Sequence, residues 1–174
     1  MAVTQQLARV TEPYLAACRR SARESADANT CWDPPSRDCL DLDWAPALLE
    51  RAAALAGLDP LHLDALRAAT DGGGSIDVGF LAEHPHAIAP FGPAPSALSP
   101  QEVVGVAARL ASIDMDAILA GLPDDDVVAA GLIGHGASGP AGGLRPYLLL
   151  HFEALSTFFG TAADRGLLVV AWWD

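Results

Sequence analysis

The segment from Gly143 to Asp174 carries the sequence pattern that most constrains how this chain can fold. Apolar residues recur in it at steps of three and four, the spacing that lines one face of a helix, at Leu148, Phe152, Leu155, Phe159 and Ala162. Gly166 can close the last helical turn because glycine accepts a left-handed backbone. The run LLVVAWW that follows is apolar on both faces, which is typical of a central strand. The segment therefore predicts a long helix that leads into a buried strand.

The N-terminal residues predict a short strand followed by a helix. The stretch MAVTQQLARV is compatible with a strand, and Thr11 offers a side-chain oxygen that can cap a helix running to about Ser25. Two later segments, 25–40 and 83–98, contain prolines and little periodicity. They are predicted to be long loops, a class of segment that is functional or mobile in most proteins.

The middle of the chain is predicted to be mainly helical. Asp43 is a candidate cap for an alanine-rich helix that ends at Gly57. The stretch SPQE that begins at Ser99 gives the clearest signal, since it combines a capping serine, a first-turn proline and a glutamate that can reach back to the cap. Ile76 to Leu81 is a candidate strand, weakened by its glycine. The chain as a whole, 1–174, predicts a single mainly helical α+β domain whose small sheet includes the N-terminal and C-terminal strands.

The charge balance argues against several classes of function. The chain has 22 acidic and 10 basic residues, a formal net charge of −12 and a pI near 4.5. A nucleic-acid backbone needs clustered Lys or Arg, so no nucleic-acid partner is expected, whereas a basic protein partner fits the acidity. No apolar run approaches the ~20 residues that cross a bilayer, so no membrane association is expected. Three cysteines, an odd number, without an apolar secretory segment predict a reduced, cytoplasmic setting.

Three stretches, taken in order, give the chain a family resemblance. They are LDLD before the alanine-rich helix, PFGPAPSALSPQEVVGVAARLASI, and YLLLHFEALSTFFGTAADRG before the closing strand. In this order they resemble the YfbM-like family of uncharacterised bacterial proteins, a domain-of-unknown-function family, over most of the chain. The resemblance implies an α+β domain with a small sheet and several helices. It implies no activity and no cofactor.

The chain departs from the family pattern directly after Asp43. Members of the family often carry a lysine there, followed by an aromatic residue and a histidine on the helix, whereas this chain reads Trp44-Ala45-Pro46. A site that uses those polar groups is therefore not expected. Trp44 is instead a candidate contact with a ligand or partner.

Two pairs of polar residues are the main candidates for a site. Asp41 and Asp43 alternate, so on an extended backbone their carboxylates project to one side, where they could share a cation or act as acid and base. The alternative is that Asp43 is simply a helix cap. His151 lies on the apolar side of the closing helix and could be a general base or a neutral core histidine. Tyr147, on the same face, could contact a ligand or cap the core with its hydroxyl.

The histidines of the proline-rich segment are the candidates for a metal site. His84 and His86 flank a proline that favours an extended backbone, which would place both imidazoles on one side. A third ligand could come from Cys31, Cys39 or His135, but no C-x-x-C or H-E-x-x-H motif requires it. The alternative is that they are surface histidines in a loop. We therefore predict neither a metal nor another cofactor.

Two classes of function remain open. The first is a small acidic, non-catalytic binding module, for example an inhibitor or immunity-like protein that covers the basic site of another protein. The second is a small hydrolase or ligand-binding enzyme whose site combines Asp41, Asp43, His151 and the histidines of the proline-rich segment, and it requires these groups to converge in one cleft. The absence of a recognisable catalytic motif favours the first.

Overall fold

A four-stranded antiparallel sheet forms the central layer of the protein. Its strands are β1 (Gln5–Val10), β2 (Cys39–Asp41), β3 (Ser96–Leu98) and β4 (Leu168–Trp173), in the spatial order β2-β1-β4-β3. The computed structural model describes residues 4–83, 85–89, 92–134 and 142–174. The two strands that were predicted at the ends of the chain are neighbours in the sheet.

Seven α-helices in the described residues make the protein mainly helical, and the predicted α+β class is confirmed. They are α1 (Glu12–Glu24), α2 (Ala45–Leu55), α3 (Pro60–Asp71), α4 (Pro100–Leu110), α5 (Met115–Ala120), α6 (Asp126–Leu132) and α7 (Leu144–Asp164). Side-chain oxygens cap five of these helices, at Thr11, Asp59, Ser99, Asp114 and Asp125. Among the described helices, none combines the length and the apolar character that a bilayer crossing requires.

Both faces of the sheet are covered, which explains why β4 is apolar throughout. Val169 and Ala171 belong to the larger core, which also contains the buried faces of α2 to α7. Leu168, Val170 and Trp172 belong to a second core on the other face, together with apolar residues of β1, α1 and the segment before β3. Because side chains alternate between the two faces of a strand, β4 contributes to both cores and is the central strand expected from its sequence.

The structure corrects the ends of both predicted loops, since β2 begins at Cys39 within 25–40 and β3 lies within 83–98. It also corrects two other local predictions. Ile76 to Leu81 does not form the expected strand, and a short 3₁₀ helix, Gly79–Ala82, overlaps it. Asp43 is not the cap of α2, since Trp44 occupies that position and Asp43 adopts a positive φ of 52° in the turn before it. The chain therefore places the Asp43 carboxylate beside the helix start and not over its first amide groups.

Candidate functional site

Four of the residues singled out from the sequence lie together where β2 ends and α7 begins. The Tyr147 hydroxyl donates a hydrogen bond to Asp43 Oδ2 at 3.0 Å. The His151 ring packs against the Tyr147 ring with 4.4 Å between centroids and an interplanar angle of 57°. The negative charge of Asp41 raises the pKa of both Tyr147 and His151. We call Asp41, Asp43, Tyr147 and His151 the Asp–Tyr–His cluster.

A tight turn fixes the two carboxylates of the Asp–Tyr–His cluster. Asp41 Oδ1 accepts the backbone N–H of Asp43 at 2.8 Å, a local bond that Asp forms readily in turns. The turn is tied to β1, because Gln5 N–H donates to the Asp43 carbonyl at 3.1 Å and Leu42 N–H donates to the Gln5 carbonyl at 2.8 Å. Asp is also among the few residues that tolerate a positive φ. The carboxylates therefore lie on a backbone that other strands hold in place.

The two rings of the cluster come from successive turns of α7. Tyr147 and His151 are four residues apart, so they share one side of the helix. The neighbouring positions Leu148 and Phe152 are buried in the larger core, which sets the rotation of α7. Tyr147 and His151 are consequently half-buried at the border of that core.

The surroundings keep both rings uncharged at neutral pH. Burial raises the pKa of the Tyr147 hydroxyl well above its usual value, and the hydrogen bond and negative charge of Asp43 raise it further. Burial lowers the pKa of His151, although the negative charges of Asp43 and Asp41 oppose this shift. The cluster thus combines two carboxylates with two neutral aromatic rings.

The contacts of the Asp–Tyr–His cluster show how its four residues are bonded within the described structure. Among the described residues, neither Asp41 nor Asp43 forms an ion pair with an arginine or a histidine. Nucleophilic catalysis needs a nucleophile hydrogen-bonded to a base that a third group orients. Here the candidate base, His151, contacts Tyr147 through its ring, and Tyr147 holds its proton tightly.

Trp44 lies beside this cluster at the start of α2. The residue is 50% exposed, and it directly follows Asp43 in the chain. The backbone N–H of Trp44 donates a hydrogen bond to the Tyr147 hydroxyl oxygen, and this bond partly offsets the rise in the Tyr147 pKa. The fifth predicted site residue therefore adjoins the other four.

Of the two histidines of the proline-rich segment, the described one, His86, does not join the cluster. His84 and His135 lie outside the described residues. Nε2 of His86 lies 3.3 Å from Oδ2 of Asp27, in the segment after α1. In the part of the chain that the structure describes, no three His, Cys, Asp or Glu residues are grouped so that they could hold a metal ion.

A second polar cluster, which the sequence analysis missed, joins the start of α3 to the end of α4. Asp59, the cap of α3, is hydrogen-bonded through Oδ2 to Nδ1 of His62, and Nε2 of His62 lies 2.8 Å from Oγ of Ser112. These three residues line a surface cavity of about 410 Å³. Acid, imidazole and hydroxyl are connected in the order used by hydrolytic triads. The D-x-x-H spacing was visible in the sequence, but nothing indicated Ser112, fifty residues away.

In the part of the chain that the structure describes, the backbone N–H groups next to Ser112 are already bonded and do not form an oxyanion hole. Ser112 Oγ is 2.8 Å from the Arg109 carbonyl, to which it can donate its proton. The backbone N–H groups of Ser112 and Ile113 donate to the carbonyls of Arg109 and Leu110, both at 3.1 Å. Oxyanion stabilisation requires donors that point at the developing charge. The hydrogen bonds from Asp59 through His62 to Ser112 join the start of α3 to the end of α4.

Comparison with known proteins supports a fold but no activity. No protein-family model matches the chain, and no curated protein sequence matches it. The crystal structure of YfbM from Escherichia coli, a protein of unknown function, is similar over 97% of this chain and 98% of that chain, with a TM-score of 0.56 and 16% sequence identity. The resemblance to YfbM noted from the sequence is thus confirmed at the level of the fold.

Proposed function

We propose that this chain, with its YfbM-like fold, is a small acidic, non-catalytic binding module for a basic protein partner. The observation that carries the proposal is the pair Asp41 and Asp43, two carboxylates that the backbone holds in place and that have no ion-pair partner among the described residues. The net charge of −12 would attract a basic partner from a distance. An inhibitor or immunity-like role, in which the module covers a basic site, is the form we favour.

Besides its negative charge, the Asp–Tyr–His cluster offers an arginine or lysine side chain a hydrogen-bonding geometry and a neighbouring aromatic residue. A guanidinium group can bond a carboxylate through two N–H groups, which fixes its orientation. Trp44 follows Asp43 in the chain and is half-exposed, so its ring could cover the cation. Because Tyr147 and His151 are neutral, they add no repulsion to this contact.

The test compares the double variant Asp41→Asn/Asp43→Asn with a control that loses the same charge elsewhere. Asn keeps the turn, because it accepts a positive φ and bonds its own backbone as Asp does. Asp64→Asn/Asp116→Asn removes two exposed carboxylates of α3 and α5. Each protein is immobilised, and retained proteins are identified and their affinities measured at about 0.05 and 0.5 M salt.

We expect one basic protein to be retained by the natural chain at low salt. Its affinity should fall by about tenfold or more in the Asp41→Asn/Asp43→Asn variant and stay nearly unchanged in the control. Equal binding by both variants would overturn the role of the cluster. Retention that is insensitive to salt would overturn the electrostatic basis of the proposal.

A second candidate function, hydrolysis of an ester or thioester, is favoured by the order of the Asp59–His62–Ser112 chain. In it, the Ser112 hydroxyl would attack the carbonyl carbon while His62 accepts its proton, and Asp59 would orient the imidazole. The alcohol or thiol would leave with that proton, and a water molecule deprotonated by His62 would then release the acid from Ser112. The test is turnover of p-nitrophenyl acetate together with labelling by a fluorophosphonate probe. Labelling at Ser112 that is lost in Ser112→Ala and kept in the control Ser156→Ala would support this function. An unlabelled natural chain would eliminate it.

A further inference from the structure

Two cysteines, Cys18 and Cys31, are brought into contact by the segment that follows α1. Cys18 is a buried residue of α1, and Cys31 is exposed in the segment between α1 and β2. The Cys18 sulfur lies 4.0 Å from the carbonyl oxygen of Cys31, a residue 13 positions further along the chain. Both residues carry free thiols. The fold therefore places a buried thiol beside an exposed one.

The Ser21 side chain holds Cys31 against α1. Its hydroxyl donates to the Asn29 carbonyl at 2.8 Å and lies 3.2 Å from Cys31 Sγ, from which it can accept the thiol proton. The Asn29 side chain accepts the Cys31 N–H at 2.9 Å and so fixes the turn. Cys18 and Ser21 are three residues apart on α1, so they share one side of the helix. Cys31 consequently packs against the side of α1 that carries the Cys18 thiol.

The two thiols differ in their access to solvent and influence each other. Burial raises the pKa of the Cys18 thiol, a hydrogen bond with Tyr14 lowers it, and a negative charge on Cys31 raises it. The buried Cys18 therefore keeps its proton at neutral pH and is shielded from reagents in solution. The exposed Cys31 is the thiol that an oxidant meets first.

We propose that Cys18 and Cys31 form a reversible disulfide when the chain meets hydrogen peroxide. The Cys31 thiolate attacks one peroxide oxygen, the O–O bond breaks, and the other oxygen leaves as water, so that Cys31 becomes a sulfenic acid. The Cys18 sulfur then attacks the Cys31 sulfur, the S–O bond breaks, and a second water leaves with the Cys18 proton. The two thiols lose two electrons in total, and the peroxide is reduced to two water molecules.

The bridge requires the Cys31 sulfur to turn from Ser21 towards Cys18. Disulfides join residues whose Cα atoms lie within about 7 Å, a condition that suits two residues in direct contact. Exposed side chains change rotamer within about nanoseconds, so the turn of Cys31 is fast. The same segment carries Trp32, which packs edge-on against Trp172 of β4 with 6.0 Å between ring centroids. The disulfide thus ties to α1 a segment that covers part of the second core.

The experiment treats the full chain with hydrogen peroxide, blocks the remaining thiols with iodoacetamide in urea, and maps the tryptic peptides by mass spectrometry. Trypsin cleaves after arginine and so places the three cysteines in separate peptides. Arg19 separates Cys18 from Cys31, and Arg37 separates Cys31 from Cys39. We expect the peptides of Cys18 and Cys31 to be linked, Cys39 to be alkylated, and dithiothreitol to remove the link.

Oxidation of the chain in urea is the control for the role of the fold. Loop closure in an unfolded chain favours the shorter separation, so the pair Cys31 and Cys39 should be linked more often there than Cys18 and Cys31. The folded chain should reverse this preference, because its contacts bring Cys31 to Cys18. The same preference in both states would overturn the proposal.

Three variants make the test decisive. Cys39→Ser should keep the link, and Cys31→Ser should abolish it and leave Cys18 alkylated. Cys18→Ser should stop the reaction after its first step, with a sulfenic acid at Cys31 that dimedone labels. If Cys18→Ser fails to fold, Cys31→Ser and Cys39→Ser decide. No link in the folded natural chain, a link that includes Cys39, or a link between the Cys31 residues of two chains would overturn the proposal.

Discussion

Asp38 is a buried carboxylate held between two arginines. Its Oδ1 accepts hydrogen bonds from Arg9 Nε at 3.0 Å and from Arg165 Nη1 at 2.5 Å. Asp38→Asn would leave these guanidinium groups without their counter-charge, and breaking a buried pair in this way costs about 3 kcal/mol. We expect the variant to lower the free energy of unfolding by about 2–4 kcal/mol, measured by urea titration at neutral pH. Asp164→Asn, an exposed change at the end of α7, is the control.

The contribution of Asp38 should also depend on pH with a definite sign. The hydrogen bond from Arg165 is the main reason that its pKa is lowered, and burial opposes it. An Asp in the unfolded chain has a pKa of about 3.9. Between that value and the lower pKa of the folded state, the folded chain binds fewer protons than the unfolded chain. The stabilisation is therefore fully present above about pH 4 to 5 and is lost as the pH falls toward the lower folded pKa. The difference between Asp38→Asn and the natural chain should shrink over this range, and a constant difference would contradict the assignment.

His151 reports directly on the charges of the Asp–Tyr–His cluster. Burial lowers its pKa, while Asp43 and Asp41 raise it. Asp43→Asn removes one of the opposing charges and keeps the positive φ of the turn, so the His151 pKa should fall further. An NMR titration of the ring C–H signals measures the shift. The same pKa in Asp43→Asn and in the distant control Asp64→Asn would show that the imidazole does not sense the carboxylate.

At the scale of single elements, α4 depends on its capping box. The Glu102 N–H donates to Ser99 Oγ at 3.4 Å, and the Ser99 N–H donates to a Glu102 carboxylate oxygen at 2.7 Å. We expect Ser99→Ala to lower the free energy of unfolding by about 1 kcal/mol, and Ser99→Gly to lower it by a few tenths. Urea titrations should give lower midpoints with an unchanged slope. An effect of Ser99→Gly as large as that of Ser99→Ala would contradict the capping role.

Elements with a local signal could be predicted from the sequence, whereas elements that depend on distant partners could not. The cap at Ser99 and the apolar run of β4 are visible within a few residues, and both predictions are confirmed. β2 and β3 have three residues each and become strands because β1 and β4 offer them a hydrogen-bonding edge. Ile76 to Leu81 has the apolar residues of a strand and follows Gly74, which bridges in parallel to Ala97 of β3, yet the segment forms no strand. Its end forms a 3₁₀ helix.

The same rule separates the parts of the candidate site. Spacing alone placed Asp41 beside Asp43 and Tyr147 beside His151. The contact between the two pairs spans 104 residues and depends on how α7 packs beside β2. The contact of His62 with Ser112 spans fifty residues and likewise had no sequence signal. Local chemistry was therefore predictable, and its convergence was a property of the tertiary structure.

For the whole molecule, β4 contributes more buried residues to the two cores than any other described strand. It pairs with β1 along six residues and with β3 along three, and Leu167 to Trp172 are all buried. Burial of an aliphatic or aromatic side chain contributes about 1.5–3 kcal/mol. The six residues together are thus worth about 10 kcal/mol, which is comparable to the entire stability of a typical domain.

A chain that ends at Gly166 should therefore not fold cooperatively. We expect it to lack the near-ultraviolet circular dichroism of fixed aromatic rings and to bind a hydrophobic dye, because both faces of the sheet would lose their central strand. The matched control lacks Asp174 alone, which removes two backbone hydrogen bonds with Thr4 at 2.7 and 3.0 Å and leaves β4 intact. That chain should unfold cooperatively in urea with a small loss of stability. A cooperative transition in the chain that ends at Gly166 would mean that the two cores fold without β4, and the central role of this strand would then be wrong.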